Sequence, residues 1–398
     1  MRISTANAYN TSIEALQMRQ TKLVTTQEQM TTGKRVNRAG DDPAAAARAE
    51  RALAREARAT ANQRAVDASD NAMTLTEAAF GDAEELLQQA REQLVAAGNA
   101  GYSDADRASL AGQIEAIRKQ LFAVANRSDG AGNYLFAGQA ASQAPFVDAA
   151  GGVQYRGAAG QAQAASGEGL PLTVDGQLSW MNARPGNGVF ETRAVTSTGT
   201  AWITTGSVTD PSALTASTYR VQFSVAAGVT SYSVLKDGLP TAQTGVAFAP
   251  GQAVQVDGMA ASINGSPANG DAFELAPASA SLSIFEALDQ AVADLKSPLR
   301  TGTQIAQSNS TQLANLDAVL SQIQSGRAQL GATLNRIDGV TNRLSALKLA
   351  SQTERSNAES LDMTQAISEF SNQQTGYDAA LKAYSMVQRL SLFNYLNP

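Results

Sequence analysis

The chain has neither cysteine nor histidine among its 398 residues. The first absence removes disulfides, thiol nucleophiles and thiolate metal sites; the second removes imidazole ligands and the usual general base near neutral pH. A zinc-peptidase H-E-x-x-H site is therefore impossible. Carboxylates and lysines remain, but no serine or lysine sits in a recognisable nucleophile motif, and Gly33-Lys34 is too short a fragment to cradle phosphates. We expect no catalytic, cofactor-binding or metal-binding residues, and no enzyme. Long apolar runs are missing too, and the opening Met1-Arg2-Ile3-Ser4-Thr5 has no apolar stretch behind it, so neither membrane insertion nor a cleaved leader is expected.

Proline is scarce and unevenly spread. Nine of the eleven fall between Pro145 and Pro298, leaving only Pro43 before them and Pro398 after. Because proline breaks helices and sheet ladders, this divides the chain into two long helical arms around a centre rich in Gly, Thr, Ser and Pro. The centre alternates with period two at Tyr219–Val225 and continues at Ser231–Leu235 after a short Ala-Gly turn, predicting a hairpin. Trp202-Ile203 and Ala253–Val256 are further candidate strands, and Asp237-Gly238, Asp257-Gly258 and Asn264-Gly265 are turn signals. A separate hairpin, Asn133–Ala137 with Val153–Tyr155, is expected to close the first arm.

The arms carry a seven-residue apolar repeat, the mark of helices packed side by side. Val66, Met73, Phe80, Leu87 and Leu94 form one row, with Ser69, Thr76, Ala83, Ala90 and Ala97 as a small-residue layer beside it. Leu316, Ile323, Leu330, Ile337 and Leu344 form another. Gly33 is placed to end a first helix, Asp42-Pro43 to open a second, and Ser103 to cap a third that carries Leu110, Ile114, Ile117, Leu121 and Val124.

Near the ends, Tyr9, Leu16, Leu23 and Met30 recur every seven, with Ile13, Gln20 and Gln27 in the second seam position; Met363, Phe370, Tyr377 and Tyr384 do the same, with Ile367, Leu381 and Gln374 nearby. Each burial adds about 1.5–3 kcal/mol while ordering a residue costs about 1–2 kcal/mol, so a lone pair of such helices barely breaks even. We expect both ends to stay largely disordered in the monomer and to order among neighbouring subunits; the other reading is a complete intramolecular coiled coil.

The formal net charge of −6 opposes nucleic-acid binding by the chain as a whole. Residues 1–66 lean basic, through Arg48, Arg51, Arg55 and Arg58 among others, but have almost no interleaved aromatics and read as a solvated face. Asp41-Asp42 reads as a turn and helix cap, since no further carboxylates follow at calcium-ligand spacing.

Both ends resemble the flagellin family. The segment Thr31–Ala44 looks like its N-terminal signature through Gly33, Arg35, Asn37, Asp41 and Asp42; the C-terminal arm is similar through Arg327, Gly331, Asn335 and Arg336; and Gly132–Gly138 with Pro145-Phe146 looks like its small hairpin. The opening residues and the ending Ser391–Leu396 resemble the hook-filament junction members more than filament flagellins. The resemblance implies an α+β fold: an elongated multi-domain chain, with an antiparallel helical, coiled-coil bundle from both termini and a β-rich domain inserted at its tip. Expected domains are 1–42 with 352–398 (terminal coiled coil), 43–168 with 299–351 (helical core and hairpin) and 169–298 (β-rich outer domain). It further implies a secreted structural subunit of the bacterial flagellum, held by an export chaperone, that self-assembles beside hook-associated protein 1 and filament flagellin. Assembly would use Tyr9, Ile13, Leu16, Leu23, Met30, Met363, Ile367, Phe370, Tyr377, Leu381, Tyr384, Leu390 and Phe393. Filament flagellin and an unrelated secreted coiled-coil adhesin are the alternatives.

Overall fold

A computed structural model describes the backbone of residues 2–165 and 167–396, and the side chains of 9–165 and 167–386. Seven helices of five residues or more are present among them: α1 Arg2–Thr32, α2 Pro43–Ala97, α3 Asp104–Ala125, α4 Gly176–Trp180, α5 Ile284–Lys296, α6 Gly302–Glu359 and α7 Met363–Leu396. The strands are β1 Phe146–Ala149, β2 Gly152–Tyr155, β3 Phe190–Thr196, β4 Trp202–Ile203, β5 Ser207–Val208, β6 Tyr219–Ala226, β7 Val229–Lys236, β8 Leu239–Pro240, β9 Val246–Ala247, β10 Ala253–Val256, β11 Met259–Asn264 and β12 Ala272–Pro277. Long helices from both ends thus flank a β-rich centre, and all strand pairings are antiparallel.

The chain divides into two compact units, residues 1–64 with 341–398 and residues 65–340. In the second, the heptad rows do what their spacing requires. Val66, Met73, Phe80, Leu87 and Leu94 are buried, as are Ser69, Thr76, Ala83, Ala90 and Ala97 and the row Leu316, Ile323, Leu330 and Ile337. Ser103 caps α3 with a reciprocal capping box to Asp106. Beside the helices, Phe80, Phe136, Phe146, Trp180 and Phe285 form an aromatic cluster, with Phe80 edge-on to Phe136 at 5.1 Å and Trp180 stacked on Phe285 at 6.2 Å.

The β-rich centre has two sheets, ordered β3-β12-β6-β7-β8 with β9 also on β7, and β10-β11-β4 with β5 also on β11. They share one core that includes Phe190, Ile203, Tyr219, Phe223, Val254, Ile263 and Phe273. The expected β6–β7 hairpin forms, with Ala226 opposite Val229. Its two turn residues, Ala227 and Gly228, have φ of 50° and 78°, the left-handed conformation that a two-residue hairpin demands. Asp237-Gly238 and Asp257-Gly258 make the same kind of turn, joining β7 to β8 and β10 to β11. Asn264-Gly265 does not; there the backbone passes so close to the Thr200 carbonyl that a Cβ on Gly265 would lie 2.1 Å from it.

Two expectations need correction. Val153–Tyr155 pairs with Phe146–Asp148, not with Asn133–Ala137. That earlier segment makes only single bridges, Tyr134 to Ser128 and Ala137 to Asp175, because Gly132 and Gly138 turn the chain at its two ends with φ of 103° and 61°. In addition, residues 284–296, inside the range expected to be β-rich, form α5, which packs its buried Phe285, Leu288 and Val292 face against α3 and β2.

Candidate assembly surface

In the first unit α1 and α7 run side by side. Tyr9 and Tyr384 meet with ring centroids 5.6 Å apart and hydroxyls 2.6 Å apart, and the Thr26 hydroxyl donates to Gln373 Oε1 at 3.0 Å. The order of these contacts makes the pair antiparallel. Burial along it is sparse. Among the described residues, Thr26 is the only buried side chain of α1 and Ala366 the only one of α7. Ile13, Leu16, Leu23, Met30, Phe370, Tyr377 and Tyr384 are half-buried, while Tyr9, Met363, Ile367 and Leu381 are exposed, Ile367 at 54%. Leu390 and Phe393 lie outside the described side chains.

The polar seam positions differ from expectation. Gln20, Gln27 and Gln374 face solvent, and the polar contact inside the pair is Thr26–Gln373. A strict seven-residue row drifts around a 3.6-residue helix, so over four turns its second position leaves the interface. Three apolar residues outside the rows, Met18, Val24 and Met386, are exposed as well. Met18 borders a shallow groove of about 460 Å³ with Ala15, Arg19, Lys22, Asn372 and Gln373. Taken together, part of the surface of the two helices joins them to each other, while Met18, Met363, Ile367 and Leu381 among others stay uncovered.

Directly below, the signature residues build a joint. Gly33 leaves α1 at φ 67°, a left-handed helix end that suits glycine. Its carbonyl accepts the Leu361 amide at 3.0 Å, and Lys34 reaches Glu359 at 2.8 Å. Arg35 donates to the Ala358 carbonyl at 3.0 Å and to Asp42 at 3.1 Å. The Asn37 side chain accepts from Thr32, while Asp41 Oδ2 receives the Asn37 and Arg38 amides at 3.0 and 2.8 Å. Asp42 then caps α2, accepting the Ala45 amide at 2.9 Å. The acidic pair is thus a turn and a cap, and the signature ties the end of α1 to the α6–α7 junction.

The Ala45 amide, and after it the Arg35 guanidinium, hold the Asp42 carboxyl below the usual carboxylate range. A lowered folded value makes its contribution to stability complete above the unfolded value of about 3.9 and lost as pH falls through the folded one. The difference in melting temperature between the parent and Asp42→Ala should therefore be largest above about pH 4 and close on further acidification, as followed by circular dichroism.

In the second unit Arg327 spans two carboxylates of α2, Glu77 at 2.6 Å and Glu84 at 2.8 Å. The Gln324 amide, and then Arg327, hold Glu84 below its usual range. Arg336 donates to the Gly169 carbonyl at 2.9 Å, whereas Gly331 has open space beside it and Asn335 is exposed. The C-terminal signature therefore contains two structural clamps, Arg327 and Arg336, and two residues on open helix surface.

Residues 3–141 match the family described as the bacterial flagellin N-terminal helical region, and residues 313–396 match its C-terminal helical region. The chain belongs to the flagellin family. Its centre, residues 192–277, matches the D2-like domain of flagellar hook-associated protein 1. Similarity extends over the full length of one kind of member: the chain is 27% identical to flagellar hook-associated protein 3 of Escherichia coli K12 over 397 residues, 99% of each chain. The solved flagellar hook-associated protein-3 from Legionella pneumophila is similar with a TM-score of 0.70 and 27% identity, over 77% of this chain and 97% of that one. FlgL from Xanthomonas campestris is similar with a TM-score of 0.68 and 29% identity, over 77% and 99%.

Proposed function

We propose that the chain is a structural subunit of the hook-filament junction, exported from the cell and assembled between hook-associated protein 1 and filament flagellin. The observation that carries this reading is that large apolar side chains of the α1–α7 pair, Met18, Met363, Ile367 and Leu381, are exposed in a single copy. Such a surface is stable only when covered, and neighbouring copies with the same pattern can cover it. Flagellar relatives matching from end to end, and a centre like that of a hook-associated protein, favour the junction over the filament itself. An export chaperone that holds the C-terminal helix before delivery fits the same exposed side chains.

Adding purified chain to isolated hooks bearing hook-associated protein 1, followed by flagellin, tests the reading. Full-length chain should let filament grow, and chain lacking residues 363–398 should not. Growth with the truncated chain, or none with the full-length one, would overturn it.

With one buried residue among the described ones of each terminal helix, local opening should cost little in the free monomer. We accordingly expect amides of residues 9–30 to exchange quickly in the purified monomer and slowly once it is incorporated, as read by hydrogen-exchange mass spectrometry. Strong protection in the monomer would favour the complete intramolecular coiled coil.

A further inference from the structure

The basic run near the start has a geometry that a solvated face does not require. Arg48, Arg51, Arg55 and Arg58 fall at i, i+3, i+7 and i+10 of α2 and so form one stripe. Arg55 meets Glu354 at 2.7 Å. The other three are exposed and turn back onto their own helix, donating to the carbonyls of Ala44, Ala47 and Ala54 at 3.4, 3.1 and 3.4 Å. None of the three has a carboxylate partner among the described residues.

Later in the same helix Asp82, Glu85, Gln89 and Glu92 repeat that spacing, 34 positions on, with acids at three of the four places. Asp82 is held by Arg127, but Glu85 and Glu92 are exposed and have no cationic partner among the described residues. The imbalance extends beyond the helix. Residues 1–64 with 341–398 hold 16 basic and 11 acidic side chains, whereas residues 65–340 hold 14 basic and 25 acidic.

We infer that the arginine stripe is a docking surface for the acidic stripe of a second copy of this chain, with neighbouring α2 helices parallel and offset by 34 positions. Because 34 positions turn a helix by about 160° beyond whole turns, the two stripes face nearly opposite sides of α2, and an antiparallel match would join copies of alternating polarity. A parallel match leaves one stripe open at each end and lets copies add with a single polarity, as a junction requires. Opposite stripes at matched spacing set register and partner choice, with a strength that salt screens. The inference rests on the proposed function.

The test measures, by pelleting, full-length chain bound to isolated hooks bearing hook-associated protein 1, across about 0.05 to 0.5 M NaCl. Arg48→Gln/Arg51→Glu/Arg58→Glu, with position 48 made neutral because Asp82 opposite it is left unchanged, should raise the half-maximal concentration by about tenfold or more at low salt, and the difference should shrink as salt rises. Adding Glu85→Lys and Glu92→Lys to the same chain restores opposite charges between copies and should return incorporation to near the parent value. The inference is overturned if the triple variant matches the parent, or if the five-fold variant stays defective, which would assign the stripe to another protein. A closed dimer of the parent in sedimentation, or salt-sensitive binding of a random DNA duplex without added incorporation, would also overturn it. If the parent itself fails to incorporate at any salt, the junction reading falls, and this inference with it. Normal parent seeding alongside an unaffected triple variant would sink the stripe alone.

Discussion

Phe80→Ala is expected to destabilise the unit of residues 65–340 by about 3–5 kcal/mol, the usual cost of emptying a fully buried aromatic site. Phe80 is wholly inaccessible and stands at the meeting point of three structural lines: the heptad row of α2, the aromatic rings of Phe136 and Trp180, and Gly326 of α6, where a Cβ would lie 3.3 Å from the Phe80 ring. Little around it can collapse into the gap. Its neighbours are rigid rings and a helix backbone already at contact distance. Urea unfolding followed by tryptophan fluorescence should show the midpoint falling by about 1–5 M with an unchanged slope, since typical slopes are about 1–3 kcal/mol per molar urea. Trp180 lies inside the cluster, so the probe reports on the site itself. A loss below about 1 kcal/mol would mean that the cluster does not organise this unit.

That core was legible because its code is local and periodic. The row from Val66 to Leu94 and the small-residue row beside it are spaced for one helix face, and burying them needs only a partner of the same period. Caps were legible for the same reason: Ser103, Asp42 and Gly33 act on amides and carbonyls within a few residues of themselves. Pairings that depend on distant chain were not. Whether Val153–Tyr155 joins Asn133–Ala137 or Phe146–Asp148 is decided by how Gly132 and Gly138 bend the intervening backbone, and both candidate segments have strand composition. The signature residues were visible as a group, but their use was hidden: Arg35 and Gly33 bond across to Ala358 and Leu361, more than 300 positions away. In the terminal seam, period alone named the apolar residues yet misplaced the glutamines, because a seven-residue ruler cannot say which flank of a drifting row turns outward.

Those outward residues set the second large effect. Met363→Asp/Ile367→Asp should leave the monomer's unfolding free energy within about 0.5 kcal/mol of the parent, because both side chains are exposed there, at 44% and 54%. Incorporation at the junction should nevertheless collapse. If neighbouring copies bury the two side chains, their loss removes about 3 kcal/mol or more, a hundredfold in occupancy, and two carboxylates left without partners in that contact add a further desolvation cost. Exposure as such is not the cause, and Leu299 separates the two ideas. It is the most exposed of the large apolar residues among the described ones, at 92%, but it sits on the turn before α6 with φ 59°. Leu299→Asp puts a residue that tolerates the left-handed conformation there, so stability should hold or rise slightly, and incorporation on hooks should match the parent. Pelleting on hooks and urea unfolding, run on the same three proteins, measure both quantities. Equal incorporation by the Met363/Ile367 variant would mean that the terminal helices are satisfied by each other, and that the subunits are held together elsewhere.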